Sequence, residues 1–89
     1  MKRTFIKGHW YKIKDYWGDV FVVEYVGRQD GFECCVCNKG NNAYTFNHWY
    51  SIKNDEGKTC YDYETWGFGK EHLPMIIEDY GKGDEIILD

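Results

Sequence analysis

Short runs of β-branched and aromatic residues, separated by polar segments that carry glycine, recur along the chain from Trp10 to Tyr63. Alternating polarity lines the two faces of a strand, whereas a helix needs apolar residues three and four apart over a longer stretch. WYKIK (10–14) sets Tyr11 and Ile13 on one face. In VFVVEYV (20–26), Glu24 marks the solvent side, so Phe21, Val23 and Tyr25 should point inward. Glu33 does the same in FECCVC (32–37), leaving Phe32, Cys34 and Val36 for the core. AYTFNHWYSI (43–52) aligns Tyr44, Phe46, His48, Tyr50 and Ile52, and TCYDY (59–63) resumes extended chain. GRQDG (27–31), NKGNN (38–42) and NDEGK (54–58) read as turns, because glycine supplies the positive φ that tight connections need.

Pro74 breaks KEHLPMIIED (70–79), so at most a single helical turn fits before or after it; a short helical turn followed by strand-like chain is expected, and MIIEDY as one more strand is the alternative. EIIL (85–88) suits a closing strand. The 89 residues make one small domain, 1–89, whose core must be thin. Seventeen of them are Phe, Trp or Tyr, and each ring can bury on the order of 150–250 Å², so a few rings hold such a core together.

The expected fold is therefore all-β, with five to six antiparallel strands, at most one short helical turn, and closure into a barrel to remove open edges. GHWYKI, VFVVEYVG, the Asp-Gly pair and FECCV, roughly positions 8–37, resemble the SH3-like small barrels of Tudor and KOW type. That resemblance implies a barrel and transfers no functional residue to this chain.

YDYETWGFGK (61–70) holds the next four rings. Tyr61 and Tyr63 share one strand parity, Trp66 and Phe68 the other. A bulge at Glu64–Thr65 would turn both pairs the same way; without one, one pair is buried and the other solvated. Phe68 and one tyrosine are expected inside. Gly67 and Gly69 suggest close backbone approach. Trp10 and Trp49 lie opposite the inferred core faces, Trp17 lies in a loop, and Trp66 lies in the irregular stretch.

Outward tryptophans are the usual anchors of binding surfaces. The expectation is a non-catalytic protein-binding module that uses Trp10, Tyr16, Trp17, Trp49, Asp62, Glu64, Trp66 and Glu71. Its net charge of −4 favours a basic partner, such as a host enzyme engaged by a small phage-type inhibitor. An aromatic cage for a small ligand or nucleotide is the alternative. So is nucleic-acid binding through Lys2, Arg3, Lys7, Lys12 and Lys14, although residues 46–89 carry four basic against ten acidic groups. The same rings would also serve a homodimer interface.

No cofactor, metal or catalytic residue is assigned. Zinc would need Cys34, Cys37, Cys60 and either His48 or His72, but residues three apart on a strand face opposite ways, so Cys34 and Cys37 chelate only if a turn begins at Cys35. On a regular strand Cys34 is a small core hydrophobe and Cys35 and Cys37 lie outward. His9, His48 and His72 fall in three separate segments, and Asp62 and Glu64 show no acid–base differentiation. No apolar run approaches a membrane span, and MKRTFIKGHWYK has no apolar signal core, so a cytoplasmic protein with reduced thiols is expected.

Overall fold

The computed structural model describes residues 4–82. It contains five antiparallel strands: β1 (His9–Lys14), β2 (Val20–Asp30), β3 (Asn42–Lys53), β4 (Thr59–Phe68) and β5 (Met75–Lys82). A 3-10 turn, Lys70–His72, separates the last two. The strands lie in the order β4-β3-β2-β1-β5 in one sheet. The first four form a meander, and the chain then returns past the 3-10 turn to the free side of β1. Leu73, extended ahead of Pro74 as a residue before proline prefers, starts that return. The all-β antiparallel architecture and, among the described residues, the single helical turn are as the sequence predicts. Closure is not: β4 and β5 stay at opposite edges of an open sheet. The segment 85–88 lies outside the described residues, as do Lys2 and Arg3.

Alternation places the core as expected. Tyr11 and Ile13 of β1, Val23 and Tyr25 of β2, Phe46 of β3 and Phe68 of β4 form one buried cluster. Phe5 packs edge-on against Tyr11 and Phe46, and the Tyr11 hydroxyl accepts the Ile6 N–H at 2.7 Å. No helix among the described residues is long and apolar enough to cross a membrane.

Two local expectations fail at the end of β2. Gly27 is not the start of a hairpin turn; it is a bulge inside the strand, with φ +94° and a register shift between Tyr25 and Gly27. Its carbonyl accepts the buried Thr45 hydroxyl at 2.6 Å, so the bulge is built in by a side chain from the neighbouring strand. FECCVC is not a strand either. Residues 31–41 form a folded connection in which Cys35, Val36 and Cys37 make a turn. Asn38 N–H donates to the Cys34 carbonyl at 2.7 Å, and Cys34 N–H donates to the Lys39 carbonyl at 3.1 Å. Asn38 sits at φ +58°, a left-handed position that asparagine tolerates. A local turn thus satisfies backbone groups that a sixth strand would have paired.

Candidate functional site

The loop between β1 and β2 is held by Asp15. Its carboxylate accepts the N–H groups of Trp17 at 3.0 Å and Asp19 at 2.9 Å, while Gly18 N–H donates to the Asp15 carbonyl at 3.1 Å. Gly18 takes φ +87°, which glycine allows without strain. This Asx-type turn carries two rings outward. Tyr16 and Trp17 are 63% and 59% exposed and meet edge-on, with centroids 5.6 Å apart.

Beside this loop lies a groove of about 200 Å³ lined by Asp15, Trp17, Phe21, Cys35, Trp66 and Phe68. Its floor is the outer end of the core. Trp66 stacks on His48 at 4.6 Å and meets Phe21 edge-on at 4.9 Å. Glu64 accepts the Trp66 indole N–H at 3.0 Å and lies 3.8 Å from His48 Nδ1. Around the loop a second cavity, about 480 Å³, is lined in part by Lys14, Asp15, Tyr16, Glu71 and His72. Tyr16 packs edge-on to His72 at 5.7 Å.

The eight residues expected to share one surface therefore separate. Tyr16, Trp17, Trp66, Glu64 and Glu71 gather around the β1–β2 loop. Trp10 and Trp49 occupy the other face of the sheet, stacked at 6.2 Å, with Trp49 also against Tyr63 at 4.6 Å and its indole N–H on Glu24 at 3.4 Å. Their strand phase is the expected one, opposite the core, but Trp10 is only 9% exposed and cannot serve as a contact residue. In a small twisted sheet, large rings on the outer face cover one another across strands, so that face is not automatically free. Asp62 sits farther out on the β3–β4 hairpin, where it caps the N–H of Tyr63 at 2.8 Å.

The register of β4 against β3 runs unbroken from Thr59 to Phe68, so there is no bulge at Glu64–Thr65. Trp66 and Phe68 point inward, and Tyr61 and Tyr63 are both exposed, so the second inward ring is Trp66 and not a tyrosine. Phe21 and Cys35 line the groove and were not expected there; strand pairing and the docking of the β2–β3 connection on Gly67 bring them together, and His48 lies behind Trp66.

A separate cluster joins the β2–β3 connection to the 3-10 turn. Cys34 Sγ lies 3.7 Å from His72 Nδ1, and donor atoms of Cys34, Cys37 and His72 all fall within 4.8 Å of one another. Since the turn begins at Cys35, the geometric objection to Cys34 and Cys37 facing the same point is removed. Burial pushes the Cys34 thiol up, but the N–H groups of Cys37, Gly69 and Val36 outweigh it and hold its pKa down at about 7. Cys60 and His48 are not part of this group: Cys60 pairs with Ile52 near the tip of the β3–β4 hairpin, and His48 stacks on Trp66.

The fold and site define an antiparallel β module with a fixed aromatic loop beside an apolar groove. No protein-family profile, curated protein or solved structure matches the chain.

Proposed function

We propose that this protein is a non-catalytic recognition module that binds a basic segment of a partner protein in the groove beside the β1–β2 loop. The observation that carries this reading is the Asp15-fixed display of Tyr16 and Trp17, more than half exposed, next to the groove floored by Trp66. Holding exposed rings in one geometry removes ordering cost from binding, and Trp and Tyr contribute large desolvated area. Asp15 and Glu71 line the cavity beside Tyr16 against one lysine, Lys14, and Glu64 holds the Trp66 indole, which favours a cationic contact segment through electrostatic complementarity. A cytoplasmic setting with reduced thiols and inhibition of a basic host enzyme are the specific forms of this proposal. The strand order supports SH3-like kinship: a four-strand meander whose fifth strand returns through a 3-10 turn to pair with β1.

The test is affinity capture from native host lysate with the unmodified protein and with Trp17→Ala, followed by mass spectrometry and a direct titration of the captured partner. The expected result is a basic partner whose binding weakens with salt and is lost in Trp17→Ala while the melting curve is unchanged. A partner captured equally by both proteins, or none captured, refutes the reading.

A further inference from the structure

The β2–β3 connection and the 3-10 turn bring three soft donors to one point, although they come from separate segments of the chain. We propose that Cys34, Cys37 and His72 bind a zinc ion, with water in the fourth position.

The geometry fits the ion. With Zn–S near 2.3 Å and Zn–N near 2.0–2.1 Å, a tetrahedron places sulfur and nitrogen about 3.5 Å apart and two sulfurs about 3.8 Å apart. Cys34 Sγ and His72 Nδ1 are 3.7 Å apart, already close to that edge length. The remaining donor, Cys37, lies in the same 4.8 Å group and is exposed, so a rotation of its side chain completes the face. A sulfur–imidazole hydrogen bond alone would explain the pairing of Cys34 with His72. A further hydrogen bond between the Cys34 and Cys37 sulfurs would account for the third donor, and metal titration separates the two explanations.

The backbone is shaped for this set. The Cys35–Cys37 turn, closed by Asn38 N–H on the Cys34 carbonyl at 2.7 Å, points both thiols to the same side. His72 is set in place by its own N–H donating to the Gly69 carbonyl at 2.9 Å. Two thiolates and one imidazole are a donor set that favours zinc over magnesium or calcium. Among the described residues no fourth Cys, His, Asp or Glu joins the group, which leaves the last tetrahedral position for water. Binding releases the thiol protons of Cys34 and Cys37 to solvent and ties the connection 31–41 to the segment entering β5. The ion would thus cross-link the two parts of the chain that the open sheet does not pair.

The test uses the full chain, purified under reducing conditions and titrated with cobalt(II), then with zinc(II). The expected result is one equivalent of cobalt bound, with thiolate-to-metal charge-transfer absorption and tetrahedral ligand-field bands that zinc abolishes. Cys37→Ser and His72→Ala, both outside the core cluster, should each weaken zinc binding by more than about 100-fold, beyond what loss of a residue that only hydrogen-bonds to a ligand costs. Cys60→Ser should bind as the unmodified protein does. Near-ultraviolet circular dichroism verifies that each variant is folded. Absence of tight binding, an octahedral cobalt spectrum without charge transfer, or equal loss in Cys60→Ser overturns the proposal.

Discussion

Gly67 of β4 lies directly against Glu33 of the β2–β3 connection: a Cβ at position 67 would stand 2.5 Å from the Glu33 carbonyl oxygen and 3.0 Å from Ala43 Cβ. The neighbouring Cys35 N–H donates to the Gly67 carbonyl at 2.8 Å. Glycine is what permits the connection to dock on the sheet, and that docking carries Cys34 to His72 and Cys35 to the groove. Gly67→Ala should therefore destabilise the fold by about 1–3 kcal/mol, because a backbone atom cannot move aside as a side-chain tip can. The expected fall in Tm is roughly 4–8 °C per kcal/mol for a domain of this size. An unchanged melting curve would contradict the close approach.

Trp10 and Trp17 look alike in the sequence and should behave oppositely. Trp10 is buried against Trp49, so Trp10→Ala should cost about 3–5 kcal/mol, as truncation of a packed ring does. Trp17 is exposed on a loop, so Trp17→Ala should stay within about 0.5 kcal/mol. Urea denaturation of both variants measures this difference.

Tyr11→Phe removes the hydroxyl that accepts the Ile6 N–H and leaves the ring in place. A loss of about 1 kcal/mol is expected, together with faster hydrogen exchange at the Ile6 amide. Unaltered exchange at that amide would mean the bond contributes nothing to holding residues 4–8 on the sheet.

Asp15→Ala should release the loop rather than unfold the sheet. The Trp17 and Asp19 amides lose their common acceptor and should exchange faster, and Trp17 fluorescence anisotropy should fall. Stability should change by about 1 kcal/mol or less. Retained protection of both amides would show that the rings are held by something else.

Alkaline pH should unfold the protein through its buried phenols. Burial raises the Tyr11 pKa above 10.0, the Ile6 N–H bond lowers it in part, and Asp79 adds to the rise. Burial likewise raises Tyr25, with Tyr44 and Tyr11 adding and Arg28 opposing. A folded-state pKa above the unfolded value means these groups contribute full stability below pH about 10, lost progressively as the pH rises through the folded values. Phenolate absorbance and far-ultraviolet circular dichroism, followed together, should show Tyr11 and Tyr25 ionising late and with loss of structure. Reversible ionisation of all eight tyrosines with the sheet intact would refute this.

What the sequence determined by itself is most of the strand content and the inward faces of β1, β2 and the first half of β3, but neither the turn at FECCVC nor the inward face of β4. Polarity alternates residue by residue, and Glu24, Tyr25 and Phe46 report their own faces without reference to any partner. The same local information limited the helix to a single turn beside Pro74, since proline acts on its immediate neighbours. The tertiary structure alone decided what depends on pairing between distant segments. Gly27 is a bulge because Thr45 of the next strand takes its carbonyl, Trp10 is covered because Trp49 reaches across to it, and the Cys34 turn meets His72 because Gly67 lets the connection dock. Periodicity says which way a side chain points, but not which residue from a remote strand will lie over it; that is set by register and twist, which belong to the assembled sheet.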